Sequence, residues 1–171
     1  MKRLPVGTLL LSFQVAMFAS AGIAHATQIG GTVTTTVVIV EDSELLDDVT
    51  CAVTGAPCIA FGAPGITLQL NGFTMTGKGD AKTGCGGSAT ANEFGIDVNA
   101  QHDVAILGPG LVRQFRNQGI RLLNSNGVMV KGVFTSTNCA SGIIVIGGTE
   151  NHLNENTSVR NGNGGAACGG I

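Results

Sequence analysis

Four charged residues in the middle of the sequence could support chemistry, namely Asp97, Arg113, Arg121 and Lys131. Asp97 and Arg121 each follow a Gly-Ile pair and are 24 positions apart (121 minus 97). Abstraction of a proton beside a substrate carboxylate needs a nearby base and a cation that neutralises the carboxylate. On neighbouring strands, however, Asp97 and Arg121 would form an exposed ion pair, worth about 0–1 kcal/mol. We favour the ion pair over a catalytic role.

Arg116 adds a further cation next to Arg113. Together with Arg121 and Lys131, these residues could form a basic patch that meets an acidic polysaccharide. Scattered cations on a solvated face explain the same residues more simply, and we prefer that interpretation. The sequence therefore offers candidate catalytic side chains without a motif that joins them.

An internal repeat positions these charged residues. Gly-Ile pairs begin at Gly95, Gly119 and Gly142, with spacings of 24 (119 minus 95) and 23 (142 minus 119). Apolar residues recur at fixed offsets from each Ile and alternate with polar ones, as they do in strands. Three inward columns are predicted: Ile59, Ile96, Ile120 and Ile143; Phe61, Val98, Leu122 and Val145; and Leu68, Ile106, Val130 and Leu153.

The composition favours the same architecture. The chain has 27 glycines, only 12% charged residues, and neither Trp nor Tyr. Many tight turns and few charges indicate β-structure rather than amphipathic helices. Each unit cannot bury its apolar side alone, but units stacked about 4.8 Å apart can. The sequence therefore predicts a parallel solenoid. A leucine-rich repeat has a similar period, but no Leu-x-x-Leu-x-Leu frame recurs.

The repeat extends back towards the N-terminus and predicts β-helix coils over 56–171. Ile59 and Ile96 are 37 positions apart (96 minus 59), longer than one unit, and the excess maps to a Gly-rich surface loop at about 76–93. The segment 27–55 carries a β-branched run and an acidic cluster. We expect an N-terminal cap there, formed by an edge strand, a short helix or an irregular coil. The acidic spacing is not that of a calcium loop, which favours a solvated cap face over metal binding.

The stretch "ITLQLNGFTMTG", followed by the units "GIDV", "GIRL" and "GIIV", resembles the right-handed parallel β-helix repeat proteins. This pectin-lyase-like superfamily includes pectate lyases, alginate epimerases and NosD-like periplasmic proteins. The resemblance covers roughly residues 40–171 and implies a right-handed parallel β-helix. Lyases of the superfamily hold calcium with carboxylates and abstract a proton with a basic residue. The resemblance thus implies an alternative activity, a polysaccharide lyase or uronate epimerase acting on an acidic polysaccharide, with calcium as cofactor in that case only.

Aromatic residues argue against a carbohydrate groove. Flat rings commonly bind sugars, and only phenylalanines are available here. We expect five of them to lie in the interior: Phe61, Phe73, Phe94, Phe115 and Phe134. No metal cluster or cofactor motif is recognisable. The favoured function is therefore a noncatalytic structural or binding protein, with a polysaccharide or cell surface as the candidate partner.

The first residues predict export. A basic start, an apolar stretch and Ala24-His25-Ala26 form a signal peptide over 1–26, cut before Thr27. Its removal takes two of nine basic residues and none of eleven acidic ones, which leaves a net charge of −4 (7 minus 11). That charge disfavours nucleic acid as a partner. We expect a secreted or periplasmic protein that is not membrane-bound after cleavage.

The cysteines and the last residues predict covalent and end contacts. Export makes disulfides plausible, and the spacing favours Cys51–Cys58 and Cys139–Cys168. Cys85 is then the spare cysteine, or it competes for one of these partners. Gly170-Ile171 repeats the Gly-Ile motif, so Ile171 would stack on Ile143. We expect a truncated C-terminal end, with end-to-end self-association through the open coil as a candidate interaction.

Overall fold

The computed structural model describes residues 26–80, 85, 90–162 and 170–171. Residues 1–25 of the expected signal peptide lie outside the described residues, and so does Cys168. Within them the protein is all-β, without a helix. Thirteen strands follow one another: β1 (Thr27–Val33), β2 (Val37–Ile39), β3 (Ser43–Cys51), β4 (Ile59–Phe61), β5 (Thr67–Gln69), β6 (Thr74–Thr76), β7 (Ile96–Asn99), β8 (Ala105–Arg113), β9 (Ile120–Leu123), β10 (Met129–Ser136), β11 (Ile143–Ile146), β12 (His152–Asn154) and β13 (Thr157–Val159).

The strands form two parallel sheets. The five-stranded sheet has the order β11-β9-β7-β4-β2. The eight-stranded sheet has the order β1-β3-β5-β8-β10-β12, with β6 between β3 and β8 and with β13 beside β10. Each strand therefore pairs with the corresponding strand of the unit before or after it. This arrangement is compatible with a β-helix-like fold, and the core lies between the sheets.

The predicted inward columns are confirmed except at the end of one. Ile59, Ile96, Ile120 and Ile143 pair in register and are fully buried. The column that begins at Leu68 also pairs in register throughout. In the remaining column Val145 pairs with Leu122 but is 41% exposed, so its predicted burial is wrong. Val145 belongs to β11, which is the last strand in the order of its sheet.

Close backbone approach explains why glycine precedes the repeated isoleucines. A Cβ on Gly95 would lie 2.5 Å from the carbonyl oxygen of Gly119, and one on Gly119 would lie 2.7 Å from that of Gly142. These carbonyls accept hydrogen bonds from the isoleucine amides of the preceding unit, at 2.9 Å in both cases. Gly170 continues the series, because its carbonyl accepts from the amides of Gly142 and Ile143. The predicted register of the Gly170 position is therefore confirmed.

The alternation of side chains shifts once within β10. Its pairing with β8 slips between Lys131 and Val133, where Gly132 has a φ of 69°. Such an irregularity moves every following side chain to the opposite face. Val133 consequently points inward, and Phe134 is 39% exposed. The prediction that Phe134 lies in the interior is wrong for this reason.

Asparagines tie the units together where strands end. The Oδ1 atom of Asn138 accepts from the amide of Phe115 at 3.0 Å, and its Nδ2 donates to the carbonyl of Val112 at 3.1 Å. Asn138 is fully buried. The same pair of bonds, to positions 23 and 26 residues earlier, recurs at Asn151, Asn156 and Asn161. Each amide side chain thus satisfies backbone groups of the preceding unit.

The segment 27–55 supplies strands rather than a helix. β1 and β2 each stand at one end of the strand order of their sheet, whereas β3 is paired on both sides. The carboxylates of Asp42 and Asp48 accept from the backbone amides of Thr67 and Thr74, each at 2.8 Å. The acidic cluster therefore binds the next unit of the chain.

Two disulfides join neighbouring parts of the structure. Cys51 pairs with Cys58, with Cα atoms 5.8 Å apart. Cys139 pairs with Cys85, with Cα atoms 4.7 Å apart, and this disulfide replaces the expected Cys139–Cys168 pair. The Cα atom of Cys85 thus lies within the range of about 4.4–6.8 Å that is usual for disulfides from that of Cys139. In the part of the chain described above, no helix is long and apolar enough to cross a membrane.

We predict that Asn138→Ala lowers the free energy of unfolding by about 2–4 kcal/mol, because it leaves the Phe115 amide and the Val112 carbonyl without their partner. Chemical denaturation of the purified protein measures this change. Asn154→Ala is the matched control: Asn154 is exposed on β12, and we expect a change below about 0.5 kcal/mol. Equal losses in the two variants would contradict the proposed role of Asn138.

Candidate functional site

Asp97 and Arg121 form a bidentate ion pair in the structure. They are partners in register on β7 and β9. Arg121 donates from Nε to Oδ1 at 2.7 Å and from Nη2 to Oδ2 at 2.8 Å. The expected ion pair therefore forms, but the expectation that it is exposed is wrong. The side chains are only 10% (Asp97) and 17% (Arg121) accessible.

Phe94 explains the burial of this pair. The guanidinium carbon of Arg121 lies 3.9 Å from the centre of the Phe94 ring, within the range of a cation–π contact. Phe94 itself is 5% exposed. Both oxygens of Asp97 accept from Arg121, and the flat face of the guanidinium is covered by a ring. Removal of one charged partner would leave the other uncompensated, which costs about 3–5 kcal/mol at buried sites.

The other predicted cations are dispersed rather than gathered into one patch. Arg113 donates to the hydroxyl of Thr76 at 3.2 Å. Lys131 lies 3.8 Å from a carboxylate oxygen of Glu155, and both side chains are largely exposed. Arg113 and Lys131 lie on β8 and β10 of the eight-stranded sheet, whereas Arg121 lies on the five-stranded sheet. The structure thus does not combine the four candidate catalytic residues in one place.

Arg116 forms a second ion pair, which sequence patterns did not indicate; its carboxylate is buried and its guanidinium side chain is 30% exposed. The Nε and Nη2 atoms of Arg116 donate to the two carboxylate oxygens of Glu93, both at 2.6 Å. Glu93 also accepts from the amide of Gly55 at 3.0 Å. Glu93 lies at the end of the insertion, so this carboxylate joins three distant parts of the chain. The hydrogen bonds from Arg116 hold the pKa of Glu93 below its ordinary value of 4.5, against the opposing effect of burial.

A surface hollow lies on the outer side of the eight-stranded sheet, around Phe134. It has a volume of about 410 Å³. Its lining combines an aromatic ring, an aliphatic side chain, hydroxyls and a cation: Phe134, Val159, Ser136, Thr137 and Arg160. The register shift at Gly132 creates this hollow, because it turns Phe134 outward. A sequence-based search for interruptions of the strand alternation at glycine could have found it.

A second hollow, of about 360 Å³, lies on β8 and β10 closer to the N-terminal end of β10 than Phe134. Leu107, Pro109 and Gly132 form part of its lining, and the Lys131–Glu155 pair lies at its side. Among the described residues its lining contains no aromatic ring, whereas the Phe134 hollow has one. We therefore take the Phe134 hollow as the candidate binding site.

Metal-binding groups do not assemble in the described residues, where no three His, Cys, Asp or Glu side chains approach closely enough to hold an ion. His102 contacts the neighbouring Asp103 at 2.9 Å, and both side chains are exposed. The acidic cluster of the N-terminal segment is engaged in hydrogen bonds to the chain, as described for Asp42 and Asp48.

Comparison of the chain with protein-family models, with curated proteins and with solved structures found no match.

We predict that Glu93→Gln destabilises the protein by about 1–3 kcal/mol at pH 7, because it removes charge-assisted hydrogen bonds to Arg116. The folded pKa of Glu93 lies below 4.5, so this contribution is present above pH 4.5 and is lost as the pH falls through the folded pKa. Urea denaturation of both forms between pH 7 and pH 3 measures the difference.

Glu155→Gln is the matched control for this experiment, since Glu155 is exposed and lies 3.8 Å from its cation. We expect a stability change below about 0.5 kcal/mol for it at every pH. A difference between wild type and Glu93→Gln that does not shrink below pH 4.5 would show that the carboxylate charge is not what stabilises this junction.

Proposed function

We propose that this chain is a secreted, right-handed parallel β-helix protein that binds a polysaccharide without modifying it. Export is supported by the signal-peptide pattern and by the two disulfides, which persist in oxidising compartments. The β-helix is supported by the in-register parallel pairing of every repeated unit. Membership of the pectin-lyase-like superfamily remains part of this proposal.

Binding is favoured over catalysis by the engagement of the candidate catalytic groups. A base must be able to reach a substrate proton, within about 2.6–3.2 Å. Both oxygens of Asp97 already accept from Arg121 at 2.7 and 2.8 Å. Arg121 in turn lies under the Phe94 ring. A lyase or epimerase reaction at this pair would first require breaking a buried ion pair.

The exposed ring of Phe134 is the observation that carries the binding proposal. A flat apolar ring matches the C–H face of a sugar, and the Ser136 hydroxyl can both donate and accept, as sugar hydroxyls do. The Thr137 hydroxyl donates to the Ser136 carbonyl at 2.7 Å and keeps its acceptor lone pairs for a ligand. Phe134 and Ser136 lie on β10, which pairs with β8 and β13, and so are held in place before a ligand arrives. A prearranged surface loses less conformational entropy on binding.

We predict that Phe134→Ala weakens polysaccharide binding about three- to tenfold, because it removes the flat apolar surface against which the C–H face of a sugar would pack. Affinity electrophoresis in gels that contain a panel of plant, algal and bacterial polysaccharides measures the retardation. Met129→Ala is the matched control: Met129 is 38% exposed on the same strand but lies before the register shift. It should leave binding unchanged, and equal weakening in both variants would count against the proposed site.

Turnover tests the catalytic alternative directly. The protein is incubated with pectate or alginate and calcium, and the absorbance of unsaturated uronate is followed. We expect no increase above the buffer control. Turnover that Arg121→Lys abolishes, in a variant that keeps the wild-type circular dichroism spectrum, would show that the Asp97–Arg121 pair is catalytic.

A further inference from the structure

We propose that the ligand is a neutral linear glycan that lies across strands β3, β6, β8 and β10, parallel to the direction in which the units stack. This inference rests on the proposed binding function and specifies the class and direction of the ligand. It depends on the outward side chains of the eight-stranded sheet, beyond the Phe134 hollow itself.

One outward column of this sheet is rich in hydroxyl groups. Thr32 pairs with Thr50, and Thr50 pairs with Thr76. The column continues in register through Arg113 to Ser136. Thr32 and Thr50 are exposed, so their hydroxyls are open to a ligand. Four of the five side chains in this column thus offer a group that can both donate and accept.

A second outward column runs beside the first and is more apolar. Thr74 pairs with Leu111, and Leu111 pairs with Phe134. Neighbouring strands are spaced about 4.8 Å apart, so the groups in both columns recur at that interval. This interval is close to the length that one ring adds to an extended sugar chain. A polymer that runs along the columns can therefore repeat the same contacts from unit to unit.

The charges on this face select against a charged polymer. Asp47 and Asp48 are exposed on β3, beside the hydroxyl column. Arg113 and Arg160 are exposed at the other end. A polyanion that reached Phe134 would be repelled along β3, and a polycation would be repelled near the arginines. A neutral glycan is repelled at neither end and can form all of the hydroxyl contacts.

The dependence of affinity on the length of the oligosaccharide distinguishes this proposal from binding at the Phe134 hollow alone. Thr50 on β3 lies three strand spacings from Phe134 on β10, about 14 Å along the sheet. A disaccharide in the hollow cannot reach Thr50, whereas a hexasaccharide can. Thr50→Val removes one hydroxyl and keeps a β-branched side chain, so the strand is preserved. Thr67→Val on β5, which lies outside both columns, is the matched control.

The experiment measures affinities by calorimetry for dimers to hexamers of β-1,4-linked glucose, mannose and xylose, and for oligogalacturonates of equal length. We expect one neutral series to bind more tightly as it lengthens and to exceed the acid series. Thr50→Val should weaken hexamer binding about threefold or more, with dimer binding unchanged. Thr67→Val should change neither.

Each other outcome overturns the inference. Tighter binding of oligogalacturonates, or equal affinity for dimer and hexamer, would refute the neutral axial ligand and leave the proposed binding function standing. The absence of binding for every oligomer and polymer would refute both. Sedimentation of the free protein checks a competing occupant: a dimer that Phe134→Ala dissociates and that excludes sugars would show that this face binds a second copy of the chain.

Discussion

The contact between the glycine backbone of one unit and the carbonyl oxygen of the next is the constraint on which the rest of the structure depends. At Gly95 and Gly119 a side chain would meet that carbonyl at 2.5 and 2.7 Å. Because the backbones approach so closely, the following isoleucine amides reach the same carbonyls at 2.9 Å. That bond fixes the register, and the register places every other side chain. The buried isoleucine column, the asparagine bridges and the Asp97–Arg121 pair all follow from it.

The period of the sequence was sufficient to predict most of this stacking, because glycine and isoleucine recur at the spacing that the carbonyl contact requires. The period could not predict where the alternation breaks. Phe134 follows a shift at Gly132, and the shift depends on how β8 pairs with β10. A single sequence shows the glycine but not its partner strand. Gly132 marks in the sequence where an interruption could fall, and the strand pairing in the structure decides that Phe134 faces outward after it.

Burial and long-range pairing were the other features that the sequence left open. Asp97 and Arg121 could be placed side by side from their spacing, but the Phe94 ring that covers them belongs to a different part of the unit. The Glu93–Arg116 pair and the Cys85–Cys139 disulfide both connect the insertion with the repeated units. The insertion has no repeat of its own, so no spacing rule predicts its partners. In both ion pairs the charges satisfy each other, which makes them supports for the fold rather than groups available to a ligand.

The central claim is that the outer side of the eight-stranded sheet binds a sugar chain while the Asp97–Arg121 side does not. Backbone NMR spectra recorded during titration with the best-binding oligosaccharide test this claim most directly. The account predicts chemical-shift changes that are largest at Phe134 and Ser136 and extend to Thr76 and Thr50. It also predicts unchanged signals at Asp97 and Arg121. Changes centred on Asp97 and Arg121, with Phe134 unaffected, would contradict the account.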